Sequence, residues 1–193
     1  GAGLVTLAVH AENPGVVAAR PELMCVAARS PADLAGALSR ATVVAVGPGL
    51  GQSAWAREML EAALACGMPL VIDADALNLL AAAPRRNEHW VLTPHPGEAA
   101  RLLGTTTAAV QSDRLAAAAQ LQARYGGTVV LKGAGTIVNG GRAVPRVCDR
   151  GNPGMATGGM GDVLTGVIAG IAAQCANLDL AAQAGTFVHG QAG

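Results

Sequence analysis

The sequence predicts an α/β fold in which helices cover both faces of a mostly parallel sheet. Short runs rich in β-branched residues alternate with longer stretches rich in alanine and leucine, a pattern typical of βαβ units. Polar or glycine-rich segments follow several of these runs, as is common where parallel strands end in ligand-binding loops. The 193 residues are 51% hydrophobic, which is enough for one sizeable core. We therefore expect a single domain over residues 1–193.

Six strands are predicted at about residues 4–9, 23–27, 43–46, 70–73, 90–93 and 129–131. The dipeptide Asn139-Gly140 lies between two further short runs and predicts a hairpin with a type I′ turn. Part of the sheet is therefore expected to be antiparallel.

Residues that are common at the ends of helices mark the predicted helix boundaries. Helix starts are predicted at Ser30 with Pro31 and Asp33, at Ser53 and at Thr107, and helix ends at Gly67 and Gly126. No repeat, linker or low-complexity segment interrupts this order of elements.

Composition excludes two classes of protein. The net charge is 0 and only 2% of the residues are aromatic, so the chain has neither the basic surface nor the stacking residues of a nucleic-acid binder. Its longest apolar stretch, residues 163–173, is shorter than the roughly 20 residues that span a membrane. The four cysteines are far apart and form no CxxC motif, which favours reduced thiols and a cytoplasmic location.

Polar or glycine-rich residues follow four of the predicted strands. These segments are residues 47–51 (GPGLG), 73–78 (DADALN), 93–98 (TPHPGE) and 132–136 (KGAGT). Because the carboxyl ends of parallel strands lie at one edge of a sheet, all four are expected to line the same edge.

The strongest signal is the glycine-rich loop 151–162, which leads directly into an apolar helix. Gly158, Gly159 and Gly161 leave room for backbone N–H groups to surround an anion, and the helix presents its positive end to the same point. The loop therefore predicts a phosphate site. Asp162 fits two roles equally well: it caps the first turn of the helix, or it takes a proton from an attacking hydroxyl group.

Two common nucleotide motifs are absent. Lys132 is followed by glycine rather than by the Ser or Thr of a Walker A motif, and residues 47–51 lack the GxGxxG spacing. A P-loop NTPase and a Rossmann dehydrogenase are thus disfavoured.

Individual side chains in these loops allow both a functional and a structural interpretation. Lys132 is the only lysine and suits phosphate binding, although an arginine-rich composition explains part of that bias. His95 stands between two prolines and either binds substrate or is a surface histidine. Asp73 and Asp75 could hold Mg²⁺, but the N-cap of the helix carrying Asn78 is the favoured role of Asp75.

Taken together, these segments resemble the ADP/ATP-dependent NAD(P)H-hydrate dehydratases of the ribokinase-like superfamily. Six strings occur in the order and approximate spacing of that family: GAGLVTLA, VVAVGPGLG, VIDADALNLL, LTPHPGEAARLLG, VVLKGAGTIV and GNPGMATGGMGDVLTGVIAG. The combination of TPHPGE with GNPGMATGGMGDVL is highly specific. The resemblance covers nearly all of the chain and implies a ribokinase-like three-layer α/β/α fold with a mostly parallel central sheet.

The resemblance also implies an activity. Members of this family repair the (6S) hydrates of NADH and NADPH, called NADHX and NADPHX. ADP or ATP, with Mg²⁺, phosphorylates the hydroxyl group on the damaged nicotinamide ring, and phosphate then leaves to restore the double bond. Similarity to the bifunctional bacterial members favours ADP as the donor.

Site residues follow from the same resemblance. Asp162 is expected to activate the ring hydroxyl group and to contact the hydrate. The nucleotide is expected to bind to Lys132, Gly133, Ala134, Gly135, Thr136 and Gly161. The hydrate is expected to bind to Gly47, Gly49, Gly51 and His95, together with Asp162.

Partners are implied in the same way: small-molecule substrates, a homo-oligomer, and a fused or separate NAD(P)H-hydrate epimerase. The family normally has further segments before GAGLVTLA and after Gly193, and both ends of this sequence look cut.

Two other functions are compatible with the loops. A small-molecule kinase of the same superfamily would release a stable phosphorylated product, and a scaffold would bind nucleotide without turnover.

Overall fold

The computed structural model describes residues 2–13, 15, 20–141 and 144–193. Within them the strands are β1 (Thr6–His10), β2 (Met24–Ala28), β3 (Val44–Val46), β4 (Leu70–Ile72), β5 (Trp90–Leu92), β6 (Thr128–Leu131), β7 (Thr136–Asn139) and β8 (Arg146–Cys148). The helices are α1 (Pro31–Leu38), α2 (Ala54–Ala65), α3 (Ala74–Ala82), α4 (Pro96–Leu103), α5 (Thr107–Ser112), α6 (Arg114–Tyr125), α7 (Met160–Cys175) and α8 (Leu178–Ala192), with a 3₁₀ turn at Pro153–Met155.

Six strands form the central sheet in the order β3-β4-β5-β6-β7-β8. The pairs from β3 to β6 are parallel, and the last two pairs are antiparallel. Strands β1 and β2 pair with each other in parallel as a separate two-stranded sheet. The predicted class, with a mostly parallel sheet and an antiparallel part, is confirmed.

The predicted type I′ turn at Asn139-Gly140 is wrong. The register pairs Val138 with Arg146, so residues 140–145 connect β7 to β8. Asn139 also pairs with Val129 of β6, which keeps its backbone extended, and the first positive φ in the connection is at Gly141. The Asn139 side chain instead accepts a hydrogen bond from the Gly141 N–H at 3.0 Å.

Alternating side chains of the central strands pack into two core layers. One face carries Leu70, Ile72 and Leu92 against α2 to α6, and the other carries Val71 and Val91 against α7 and α8. Because each central strand is buried on both faces, its residues form a continuous apolar run rather than an alternating one. The result is the three-layer arrangement that the sequence predicts.

The predicted helix boundaries agree with the structure, with one exception. Ser30 and Asp33 form a capping box, Ser53 caps α2, and α5 begins at Thr107. Hydrogen bonds from the Ser30 and Arg29 N–H groups lower the pKa of Asp33. The predicted N-cap role of Asp75 is wrong, since Asp73 occupies that position and α3 begins at Ala74.

No helix in the described part of the chain is both long enough and apolar enough to cross a membrane.

Candidate active site

The loops that follow β3, β4, β5 and β6 lie at one edge of the sheet, because these four strands are parallel. The start of α7 meets the same edge. An atom at the Cβ position of Gly161 would lie 3.1 Å from the Lys132 Nζ atom and 3.8 Å from a carboxylate oxygen of Asp73. The predicted phosphate-binding lysine, Lys132, and the glycine-rich loop are therefore adjacent.

A buried ion pair joins three elements at this edge. The Lys132 ammonium group donates to Asp73 Oδ1 at 2.7 Å, and the Thr165 hydroxyl group of α7 donates to Asp73 Oδ2 at 2.7 Å. The side chain of Asp73 is 1% exposed and that of Lys132 is 19% exposed. With both carboxylate oxygens occupied, Asp73 connects the end of β4 to the end of β6 and to α7.

Glu98 is a second carboxylate beside Lys132. Its Oε2 atom lies 3.9 Å from the Lys132 Nζ atom and accepts a hydrogen bond from the His95 N–H at 2.8 Å. The side chain is buried, so a negative charge is held close to the ammonium group. Glu98 thereby connects the start of α4 to the Lys132–Asp73 pair.

His95 is the N-cap of α4, and its ring is half exposed. The Nδ1 atom accepts from the Gly97 N–H at 3.0 Å, so a neutral ring carries its proton on Nε2. Nε2 lies 3.5 Å from Glu98 Oε1. The ring is thus oriented by its own helix start and still presents surface to solvent.

The loop 47–51 packs directly on the residues after β4. At Gly47 the φ angle is +133°, and a Cβ atom there would lie 1.7 Å from the Asp73 carbonyl oxygen. Farther along the loop, the Gly51 N–H donates to the Asp75 carboxylate at 2.8 Å. Only glycine allows the approach at position 47. Gly49, between these anchors, is exposed.

The loop 132–135 makes a tight connection between β6 and β7. Gly133 and Gly135 have positive φ angles, and the Thr136 hydroxyl group donates to the Gly133 carbonyl at 2.9 Å. Ala134 is exposed at the tip of the loop. The five residues predicted to bind nucleotide in this segment, 132–136, therefore form one continuous stretch from the end of β6 to the start of β7.

Asp162 stands in the first turn of α7 and is exposed. Gly159 is the N-cap of the helix, with a φ of +89°, and no side chain caps it. The Asp162 carboxylate has no hydrogen-bond or ion-pair partner among the described residues. Of the two roles open to Asp162 on sequence grounds, the capping hydrogen bond is not made, and the carboxylate faces solvent.

Sequence reasoning missed several polar residues of this edge. The sequence pattern suggests Asp73 only as a metal ligand and predicts no role for Glu98 or Thr165. The sequence does contain a signal for two of them. Asp73 directly follows the buried strand β4, and Glu98 lies a few residues after the buried strand β5, so both carboxylates could have been placed at this edge. Thr165 lies 92 residues from Asp73, and local pattern gives no means of pairing them.

The fold and this edge place the chain in the ribokinase-like class. A solved structure of a ribokinase-like superfamily protein from Enterococcus faecalis superimposes with a TM-score of 0.88 at 35% identity, covering 98% of this chain and 68% of that one. Within that class, a profile of the NAD(P)H-hydrate dehydratase family matches residues 1–193, and the chain belongs to that family.

Two further comparisons agree with the family. The ADP/ATP-dependent NAD(P)H-hydrate dehydratase of Bacillus subtilis, crystallised with ATP and Mg²⁺, has a TM-score of 0.82 at 27% identity, covering 98% of this chain and 71% of that one. The bifunctional NAD(P)H-hydrate repair enzyme of Coxiella burnetii is 52% identical over 193 residues, which are 100% of this chain and 40% of that protein. The chain thus spans about two fifths of that curated relative.

Proposed function

We propose that this chain carries out the ADP- or ATP-dependent dehydration of NADHX and NADPHX to NADH and NADPH. One observation carries the proposal: the Lys132 ammonium group lies beside Gly161 at the start of α7, and the next residue, Asp162, presents a free carboxylate. A fixed cation, a helix N-terminus and an adjacent base are the groups that phosphoryl transfer to a hydroxyl group needs.

The reaction has two steps. The Asp162 carboxylate takes the proton of the ring hydroxyl group, whose oxygen attacks the terminal phosphorus of the nucleotide and releases the nucleotide with one phosphate fewer. The ring carbon–oxygen bond then breaks, inorganic phosphate leaves with the bonding electrons, and loss of a ring proton forms the double bond. The protein supplies mainly position and charge, while a positioned base contributes about 10²- to 10⁴-fold to the rate.

Nucleotide and hydrate are assigned to opposite sides of Asp162. Lys132, Gly133, Ala134, Gly135 and Thr136 bind the nucleotide, with Gly161 at its terminal phosphate. Gly47, Gly49, Gly51 and His95 line the hydrate pocket. The contact of Gly47 with Asp73 supports placing the two sites next to each other, because Asp73 in turn binds Lys132.

Magnesium fits this site as an ion carried by the nucleotide. Among the described residues no group of three or more His, Cys, Asp or Glu side chains could hold a metal ion. Lys132 and Thr165 occupy both oxygens of Asp73, and Asp162 has the free carboxylate of the loop. Mg²⁺ commonly binds in proteins through substrate phosphates, water and one or two carboxylates. When bound, it neutralises phosphate charge.

The experiment is recovery of reduced-nicotinamide absorbance when the protein is mixed with NADHX, Mg²⁺ and either ADP or ATP. Recovery with release of one phosphate per NADH is the expected result, and the more effective nucleotide identifies the donor. A stable phosphorylated product without recovery would replace the proposal with a kinase. Nucleotide binding without any turnover would replace it with a scaffold.

The partners and setting of the protein belong to the same proposal. We infer a single domain that forms a homo-oligomer in the cytoplasm and works with an NAD(P)H-hydrate epimerase, fused or separate. The bifunctional name of the Coxiella relative supports the epimerase, and the free state of all four cysteines supports a reducing compartment. Light scattering on the purified protein tests the oligomer.

A further inference from the structure

Arg114 lies at the same edge of the sheet and has no role in the proposed function. It is the first residue of α6, and its guanidinium group contacts the loop 132–135. The group donates to three carbonyl acceptors: Leu131 at the end of β6 at 3.2 Å, and Lys132 at 3.3 Å and Ala134 in the loop. One side chain therefore holds the backbone at the end of β6 and at two points of the loop.

The charge of Arg114 has no acidic partner. No carboxylate of the described residues forms an ion pair with the guanidinium group, and its Nε atom is buried without a hydrogen-bond partner. Burial lowers the pKa of the Arg114 guanidinium group. Among the described residues only carbonyl groups accept hydrogen bonds from this cation, so a bound polyanion would gain from its field.

Gly133 packs against the same guanidinium group. Its φ angle is +144°, and a Cβ atom there would lie 2.9 Å from a terminal nitrogen of Arg114. The loop backbone thus lies directly on the guanidinium group, and a side chain at position 133 would push that group away.

We propose that Arg114 is a positioning residue for nucleotide binding. The peptide bonds of the described loop are trans, so each N–H points away from the carbonyl group of the same peptide. By holding the Lys132 and Ala134 carbonyl groups, Arg114 turns the Gly133 and Gly135 N–H groups to the opposite side. These two N–H groups are then available to phosphate oxygens. The inference rests on the proposed function, since it assumes that this loop binds the nucleotide.

The test uses two variants and a matched control. Arg114→Met keeps the length of the side chain but removes its charge and donors, while Arg114→Lys keeps only the charge and one donor group. Arg86 serves as the control because it binds the other end of α6, where its guanidinium group donates to the Ala123 carbonyl and pairs with Glu88. The dissociation constants of ADP and ATP are measured by calorimetry, and KM is measured for nucleotide and hydrate separately.

We expect Arg114→Met to raise the Kd of the nucleotide about tenfold and Arg114→Lys to raise it about threefold, as the loss of charged hydrogen bonds predicts. Arg86→Met should leave the Kd unchanged, and the KM of the hydrate should not change in any variant. If Arg114→Met does not fold, the rise in Kd of Arg114→Lys is the supporting result.

Three results would overturn the inference. They are an unchanged nucleotide Kd in a folded Arg114 variant, an equal rise in Arg86→Met, and a parallel rise in the KM of the hydrate, which a purely structural role would give. A wild-type protein that binds nucleotide but does not dehydrate NADHX overturns the proposed function alone, because the Kd comparison still decides the role of Arg114. A wild-type protein that binds neither nucleotide overturns both.

Discussion

The two ends of the central sheet hold their charges in different ways. At the amino end, Arg85 pairs with Glu61 at 2.9 Å, and both side chains are more than half exposed. At the carboxyl end, Lys132 pairs with Asp73 at 2.7 Å, and the carboxylate is 1% exposed. The two distances are similar, but the surroundings differ. Water screens the first pair. The second pair is shielded from water, so the loss of one partner would leave a buried charge and destabilise the fold.

Two glycines, one at each end, also differ in their surroundings. Gly67, at the amino end, ends α2 with a φ of +74° and has nothing within 4 Å of a Cβ position. Gly47, at the carboxyl end, would place a Cβ atom 1.7 Å from the Asp73 carbonyl oxygen. One glycine only turns the chain, whereas the other also lets two loops touch. Gly47 therefore permits a close approach that Gly67 does not, and the following changes test these differences.

The largest effect is expected from Asp162→Asn. Turnover of NADHX should fall about 10²- to 10⁴-fold, because the positioned base is lost. Stability should change by at most about 1 kcal/mol, since the carboxylate interacts only with the helix dipole. Calorimetry should show nearly unchanged ADP binding. Wild-type turnover in this variant would remove Asp162 from the role of base.

Asp73→Asn should have the next largest effect, on stability. The asparagine amide can still accept from Thr165, but its NH₂ group then faces the Lys132 ammonium group, which loses its main counter-charge. Removing one partner of a buried pair costs about 3 to 5 kcal/mol. Urea unfolding measures the loss, with Glu61→Gln at the exposed pair as the matched control. Equal losses in the two variants would contradict the contrast between the two ends.

Some features of the fold and of the site can be predicted from the sequence, and others cannot. The fold class, the helix starts at Ser30 and Ser53, and the shared edge of the loops follow from local pattern, because strand burial and capping depend on neighbouring residues. The pairing of Asp73 with Lys132 and Thr165 joins residues 59 and 92 positions apart, and no local pattern encodes it. The Asn139 turn was wrong because pairing with β6 outweighed the preference of the dipeptide.

Gly47→Ala should destabilise the protein by about 3 kcal/mol, since the new Cβ atom collides with a backbone carbonyl at a φ that alanine disfavours. Gly67→Ala also has a positive φ, but at +74° it is close to the left-handed region and there is no collision, so its cost should be near 1 kcal/mol. Thermal unfolding of the two variants measures the combined cost of the collision and of the φ angle at position 47. A Gly47→Ala loss as small as that of Gly67→Ala would mean that the loop 47–51 shifts freely away from Asp73.

The smallest effect is expected from Glu61→Gln. An exposed ion pair contributes about 0 to 1 kcal/mol, and salt screens it. The difference in stability from the wild type should therefore shrink towards zero as the ionic strength is raised from about 0.01 M to 1 M. The loss in Asp73→Asn should persist over the same range, because solvent ions do not reach a carboxylate that is 1% exposed. A salt-dependent loss in Asp73→Asn would show that solvent ions screen the Lys132–Asp73 pair as well. The contrast between the two ion pairs would then be wrong.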